Sequence, residues 1–218
     1  MTRAAVSLTA FYPPAAEGRI LSYARHAAGG GVGAVLEFVQ RSQLFSPCCD
    51  ILGATTVPGE VDAVEVRKAM LACDDILIDG GIGEGGSALV LWDEGGLIEG
   101  VGVGGSCAWL FRPDQEEGID LALEIPSKPL LGEGIVAMRT RSVACAPGEV
   151  IVAGGHSLRN SLESSAIRDL VRQHMTAGTP DRIAAAVSGA AWSAGERPGV
   201  LCYHLPVAQG LPNPWATA

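Results

Sequence analysis

Polar side chains that could do chemistry lie beside glycine or proline in three separate parts of the chain. They are Arg25, His26, His156, Ser157 and Asp181. Arg25 and His26 precede a glycine run at 29–31, and an arginine together with backbone N–H groups suits an anion such as phosphate. The alternative is a solvated arginine and a hydrogen-bonded histidine. Asp181 is suited to a hard divalent cation, or to a turn after Thr-Pro.

Other catalytic and binding motifs are not supported. His156 and Ser157 are neighbours in the chain, which is not the geometry of a catalytic pair, and no Gly-x-Ser-x-Gly turn surrounds them. The glycine-rich segment 80–86 lacks the Gly-Lys-Ser/Thr ending of a phosphate-binding loop. The Gly-x-Gly at 102–104 does not precede a predicted helix, as dinucleotide binding would require.

Composition and charge narrow the class of protein further. The chain has 218 residues, of which 48% are hydrophobic and 18% charged, so it can bury a core and form one domain. A net charge of −9 disfavours nucleic acid as a partner, because binding phosphates needs a basic surface. The six cysteines form no CxxC pair, which disfavours zinc. No apolar run reaches the roughly 20 residues of a membrane span, and the first residues lack signal-peptide features, so we expect a cytoplasmic location.

The elements that must position these residues are predicted from hydrophobic periodicity. Apolar residues at helical spacing predict helices over 32–39, 61–73 and 167–175. Short β-rich runs bounded by glycine, proline or acidic turns predict strands. These runs are 87–92, 97–103, 106–111, 119–125, 135–145, 149–153 and 183–192, with 200–205 as an edge strand or packed tail. Strands and helices are segregated along the chain, which favours an α+β fold.

Five segments, in order, resemble motifs of the PP2C-type (PPM-type) serine/threonine phosphatases. They are 85–90 (GGSALV), similar to a Gly-Thr-Thr-Ala strand start; 103–111 (VGGSCAWLF), similar to a Gly-Asp-Ser-Arg-Ala-Tyr-Leu strand; 129–132 (PLLG); 146–153 (APGEVIVA), which leads into a Ser-Asp-Gly-like segment; and 178–183 (GTPDRI), similar to Gly-Ser-Pro-Asp-Asn-Ile. Residues 20–31 also look like the Val-Ala-Asp-Gly-x-Gly-Gly region. The compact size is similar to that of small bacterial members that act in signalling.

The resemblance implies a fold and a domain plan. The expected fold is α+β: a PP2C-like β-sandwich of two antiparallel sheets flanked by helices in α-β-β-α layers. Residues 1–218 would form a single domain, with 193–218 as a C-terminal extension or tail.

The resemblance also implies a mechanism in which two Mn²⁺ or Mg²⁺ ions hold the water that attacks a phosphoserine or phosphothreonine. Two such ions need several carboxylates. In this sequence the motif acids align with Arg25-His26, with Gly105 and with Gly155 before His156, and only Asp181 keeps a carboxylate. We therefore expect a degenerate domain, a pseudophosphatase with no metal cofactor. It would act in regulation by binding a protein partner, such as a phosphoprotein, or by binding phosphate. The oligomeric state is not determined by the sequence.

A competing alignment keeps more acids. The segment 78–85 (IDGGIGEG) itself resembles Val-Ala-Asp-Gly-x-Gly-Gly, with Asp79 as the metal acid. In the family, however, this motif leads into a long helix, and here a series of strands follows. The alternative function is an active Mn- or Mg-dependent phosphatase, with a site rebuilt from Asp79, Glu84 or Asp181.

Overall fold

The computed structural model describes residues 7–11, 21–26, 32–38, 43–56, 61–82, 85–93, 96–115, 118–120, 127–136, 138, 140–175, 180–194, 198–204 and 214–216. The strands are β1 Ser7–Phe11, β2 Leu21–His26, β3 Val32–Phe38, β4 Gly86–Asp93, β5 Leu97–Val103, β6 Cys107–Phe111, β7 Ile119–Asp120, β8 Thr140–Ala144, β9 Val150–Gly154 and β10 Val200–His204. The helices are α1 Phe45–Ala54, α2 Ala63–Asp79, α3 His156–Ser161, α4 Ser164–Met175 and α5 Pro180–Ser193, with a 3₁₀ turn at Pro214–Ala216.

The strands form two antiparallel sheets of five strands each. Sheet A has the order β1-β10-β9-β6-β7, and sheet B has the order β2-β3-β4-β5-β8. Strands β2, β3, β4 and β5 are joined in antiparallel register, which continues to β8 at the edge of sheet B.

Side chains alternate between the faces of each sheet and build three apolar clusters. On β4, Val90 and Trp92 pack with α1 and α2, whereas Leu89 and Leu91 face sheet A. On sheet A, apolar residues of β6, β9 and β10 pack against α3, α4 and α5. The result is four layers, α-β-β-α, which confirms the predicted fold class.

The helix predicted over 32–39 is wrong, because this segment is strand β3. Leu36 and Phe38 contact the α1–α2 cluster, whereas Val35 packs between the sheets. A strand that is buried on both faces is a continuous apolar run with no alternation, so periodicity alone cannot distinguish it from a buried helix.

The strand predicted over 183–192 is also wrong, because this segment lies in α5. Its buried residues Ile183, Ala184, Val187 and Ala191 follow helical spacing. The segment is rich in alanine, the strongest helix former, and Pro180 is the first helical residue, a favoured position for proline. Trp192, at the end of the predicted strand, is 39% exposed on this helix.

The other predicted helices are confirmed, with adjusted ends. The helix predicted over 61–73 extends to Asp79, and the Asp62 side chain caps it by accepting a hydrogen bond from the Val64 N–H at 2.9 Å. The helix predicted over 167–175 begins at Ser164. Asn160 and Ser161, which precede it, belong to the short helix α3.

Two parts of the segment 193–218 pack into the sandwich. Within it, β10 lies between β1 and β9, so it is an interior strand of sheet A and not an edge strand. Further on, Trp215 is 2% exposed in the cluster beneath α4 and α5. Its indole N–H donates to the Gly148 carbonyl at 2.6 Å. In the described part of the chain, no helix has the length and apolar character needed to span a membrane.

Candidate functional site

A buried carboxylate, Glu37, lies near the end of β3 and contacts the start of α3. Glu37 is 3% exposed. The Ser157 N–H donates to Glu37 Oε1 at 2.9 Å, and the Ser157 hydroxyl donates to Oε2. Charge-assisted hydrogen bonds of this kind are stronger than neutral ones. They hold the Glu37 side chain against a helix that lies 120 residues away in sequence.

Gly155 lies directly against this carboxylate. A Cβ atom at position 155 would come within 2.6 Å of Glu37 Oε2 and 2.7 Å of its Cδ. Such distances are far below van der Waals contact. The space that a side chain at position 155 would need is therefore occupied by the side chain of Glu37.

Gly105 has a similar relation to His156. A Cβ at Gly105 would lie 2.8 Å from His156 Nδ1, and its φ of +74° is in a region that side-chain-bearing residues rarely adopt. The His156 N–H donates to Ser87 Oγ at 3.1 Å, and its Nε2 lies 2.8 Å from the Asn160 amide nitrogen. Three of the segments that carry the motifs, at the start of β4, before β6 and after β9, therefore meet in one place.

Arg25 does not lie level with this site along sheet B. In the β2–β3 register, Arg25 pairs with Ala34, whereas Glu37 pairs with Ser22. Three residues along a strand correspond to about 10 Å, so the backbone of Arg25 lies well away from Glu37 along the sheet. The strand that leads into the helices is β3, and it carries Glu37.

The sequence prediction missed Glu37 because it interpreted residues 32–39 as a helix. If residues 32–38 had been predicted as a strand that leads into helices, the acid near the end of that strand, Glu37, would have been a candidate. The error in secondary structure is therefore the reason that Glu37 was missed. The side chains of Arg25 and His26 lie outside the described part of the structure, and so does Glu84.

The remaining candidate acids lie on the two outer helical layers. Asp181 is exposed in the first turn of α5, on the outer face of sheet A. Burial raises the pKa of the Cys202 thiol, and the negative charge of Asp181 adds to that rise. Asp79 is the exposed last residue of α2, which packs on sheet B. Asp79 therefore ends a helix and not a strand, unlike the acid of the motif that its segment resembles.

The described side chains at this site do not fit a pair of Mn²⁺ or Mg²⁺ ions. These ions prefer several carboxylate oxygens, and the group of Glu37, Ser87, His156 and Ser157 supplies one carboxylate, which already accepts two hydrogen bonds from Ser157. Among the residues that the structure describes, no cluster of three His, Cys, Asp or Glu side chains could hold a metal. The space beside Gly105 and Gly155 is filled by His156 and Glu37.

Comparison with solved structures identifies the fold. PppA, described as a key regulatory component of the type VI secretion system in Pseudomonas aeruginosa, has a TM-score of 0.70 and 11% identity, over 93% of this chain and 98% of that one. The Mycobacterium smegmatis PPM Ser-Thr phosphatase MsPP, solved with cacodylate, has a TM-score of 0.66 and 17% identity, over 92% and 97%. The catalytic domain of the phosphatase PstP, solved with two manganese ions, has a TM-score of 0.64 and 14% identity, over 93% and 98%.

These similarities hold at the level of the fold. At the level of sequence, the chain matches no protein-family model and no curated protein. The protein has the PP2C-like fold of PPM-type serine/threonine phosphatases, as the sequence motifs predicted.

Proposed function

We propose that this protein is a pseudophosphatase: a PP2C-like domain that does not hydrolyse phosphate esters and acts in regulation by binding a protein. The main support is the contact between Glu37 and Gly155. An acid side chain at 155 would overlap the Glu37 carboxylate, so the site holds one carboxylate where a dinuclear centre needs several. Without two metal ions there is no activated water for an in-line attack on phosphorus.

The hydrogen bonds around Glu37 support a structural role for this residue. Its two oxygens bind the N–H and hydroxyl of Ser157, and the Ser87 hydroxyl binds the His156 N–H. These bonds connect sheet B to the start of α3. Groups that in an active enzyme would face metal and water here contact each other.

A phosphoprotein is the partner that we propose for this domain. The fold is shared with proteins described as Ser/Thr phosphatases, one of them solved with two manganese ions, and a domain that lost the metals could keep the surface that binds the substrate protein. In one version of this proposal, Arg25 binds the phosphate. That version predicts that Arg25→Ala lowers the affinity for a phosphoserine peptide, measured by fluorescence anisotropy against the unphosphorylated peptide. Equal affinities of wild type and Arg25→Ala would refute it.

Metal binding is the decisive test of the pseudophosphatase proposal. We expect calorimetric titration with Mn²⁺ to show no pair of tight sites, and we expect no Mn²⁺-dependent phosphate release from a phosphopeptide. A catalytic domain of the PstP type serves as the positive control in both assays. Tight binding of two Mn²⁺ ions, together with phosphate release, would overturn the proposal.

The alternative is an active phosphatase with a rebuilt metal site. Asp181 supports it, because this acid stands in the segment that resembles the last family motif. The alternative predicts Mn²⁺-dependent phosphate release that Asp181→Ala abolishes and that the matched variant Asp114→Ala, in an exposed turn, leaves unchanged. We favour the first proposal because Asp79 and Asp181 lie on helices that cover opposite faces of the sandwich.

A further inference from the structure

Exposed apolar side chains are concentrated on one face of α2. Six large apolar residues are exposed in the described part of the chain, and three of them are on this helix: Val64 at 49%, Leu71 at 40% and Ile78 at 46%. They are spaced by seven residues, so they span about 40° of the helix circumference and a length of about 21 Å. We call these three residues the α2 stripe.

The most exposed apolar residue of the described chain lies in a segment that is hydrogen-bonded to α2. Val136 is 94% exposed. It follows Ile135, whose N–H donates to Asp74 of α2 at 2.7 Å, and the Gly132 N–H donates to the other oxygen of Asp74 at 2.5 Å. These bonds fix the 132–136 segment against the helix. Val136 therefore exposes further apolar area on a segment held to α2, and large exposed apolar patches mark interaction sites.

The charges next to the stripe are self-complementary. Lys68 and Asp75 are exposed on the same side of the α2 stripe, and they lie at nearly equal distances from Leu71, three residues before it and four after it. If two α2 helices pack antiparallel about a two-fold axis at Leu71, each Lys68 faces Asp75 of the second copy. Each Val64 then faces Ile78 of the second copy. Parallel packing would instead set the two Lys68 residues at the same height on opposite flanks of the helix pair, and the Lys68–Asp75 pairing would be lost.

We propose that α2 is a self-association surface, and that its occupant is the α2 helix of a second copy of this chain in an antiparallel, two-fold arrangement. An isologous contact of this kind requires each residue pair to occur twice, which the spacing of the stripe and its charges satisfies. In the monomer, Lys68 pairs with Glu65 at 2.7 Å. This pair is solvent-exposed, so the lysine can exchange Glu65 for Asp75 of the second copy at little cost.

The size of the surface sets the expected affinity. A 17-residue helix is about 25 Å long and about 10 Å wide, so it offers a strip of roughly 250 Å². A standard interface buries about 800 Å² per partner. The helix pair, even with Val136, is therefore a small interface, and we expect a weak dimer with a dissociation constant in the micromolar range.

Sedimentation velocity over the micromolar range tests the proposal on the full chain. We expect a concentration-dependent dimer. Leu71→Asp, which places two carboxylates face to face at the two-fold axis, should raise the dissociation constant by about tenfold or more. The matched control Ala185→Asp adds the same charge on the exposed face of α5 and should leave dimerisation unchanged. Far-UV circular dichroism confirms that each variant is folded.

A charge exchange tests the arrangement itself. Lys68→Asp and Asp75→Lys should each weaken the dimer, because each places like charges opposite one another twice. The double variant, which carries both changes, should recover most of the wild-type affinity. Arg182→Asp, on the other helical layer, is the control for the change in net charge.

Three results would overturn this assignment. They are a wild-type protein that stays monomeric throughout the range, a dimer that Leu71→Asp does not weaken, and a double charge variant that recovers no affinity. The first would leave the stripe free for an unrelated protein. Self-association does not depend on whether the domain hydrolyses phosphate, so its failure and that of the proposed function are separate outcomes.

Discussion

Replacing Gly155 with aspartate would return the family's acid to its aligned position and bring it against Glu37. The new Cβ would lie 2.6 Å from Glu37 Oε2 and 2.8 Å from Glu37 Cβ. Neighbouring backbone cannot easily retreat, because Gly154 pairs with both Val200 and Cys107 in sheet A. The Glu37 side chain must therefore move, and it cannot move without breaking its hydrogen bonds to Ser157.

Three contributions determine how much Gly155→Asp lowers the free energy of unfolding. Overpacking in a close-packed region costs about 1–3 kcal/mol. Lost hydrogen bonds to a buried charge cost about 1.5–3 kcal/mol. Two carboxylates about 4 Å apart repel by roughly 4 kcal/mol at an effective dielectric constant of 20, although rearrangement relieves part of that. We expect Gly155→Asp to lower the free energy of unfolding by about 4 kcal/mol, a large share of the usual 5–15 kcal/mol.

Urea denaturation, followed by tryptophan fluorescence at neutral pH without divalent metal, measures this loss. Gly155→Ala separates the steric part from the charge and should cost about 1–3 kcal/mol. Adding Glu37→Ala to Gly155→Asp removes the overlap and the repulsion, so the double variant should lose less than the sum of the single variants. If Gly155→Asp is as stable as the wild type, Glu37 does not occupy this space and the reasoning fails.

Three further predictions concern the same framework. Ser157→Ala should lower the free energy of unfolding by about 2 kcal/mol in urea, because it removes a hydroxyl donor from the buried Glu37 carboxylate; an unchanged midpoint would contradict this. Trp215→Ala should lose about 3 kcal/mol in the same assay, because the indole is buried and bonded to Gly148; no loss would mean that the C-terminal segment does not dock. Burial lowers the pKa of His204, so the folded state binds the proton less well than the unfolded state and stability should fall as the pH drops below about 6.5. His204→Asn should reduce that slope in urea midpoints measured from pH 7.5 to 5.5, and an identical slope would refute the assignment.

Local sequence was enough to predict much of the sandwich. Strand β5 has the predicted ends, 97–103; β4 and β9 differ by one residue at each end, and β6 differs by one residue at its start. These strands are short and bounded by turns that need glycine, such as the positive φ at Gly96 and Gly104. Their boundaries are encoded by neighbouring residues, so local patterns predict them well.

The two errors in secondary structure have a common cause. Strand β3 is apolar on both faces because α1 and α2 cover one side and sheet A covers the other. Helix α5 consists mainly of small apolar residues. Because a short apolar run of this kind is also typical of a buried strand, the segment was predicted as a strand. In both segments, elements that are distant in sequence decide which faces are buried. A local sequence pattern carries no information about those elements.

The sequence by itself determined the family of folds and the absence of acids at Gly105 and Gly155. Both follow from the types of residue in a series of motifs that occur in a fixed order. It did not determine which carboxylate is buried beside Gly155. That was decided by the pairing of β3 with β4 and by the contact of Glu37 with Ser157, which are 120 residues apart. A buried carboxylate takes its role from the donors that surround it, and only the tertiary structure brings those donors to Glu37.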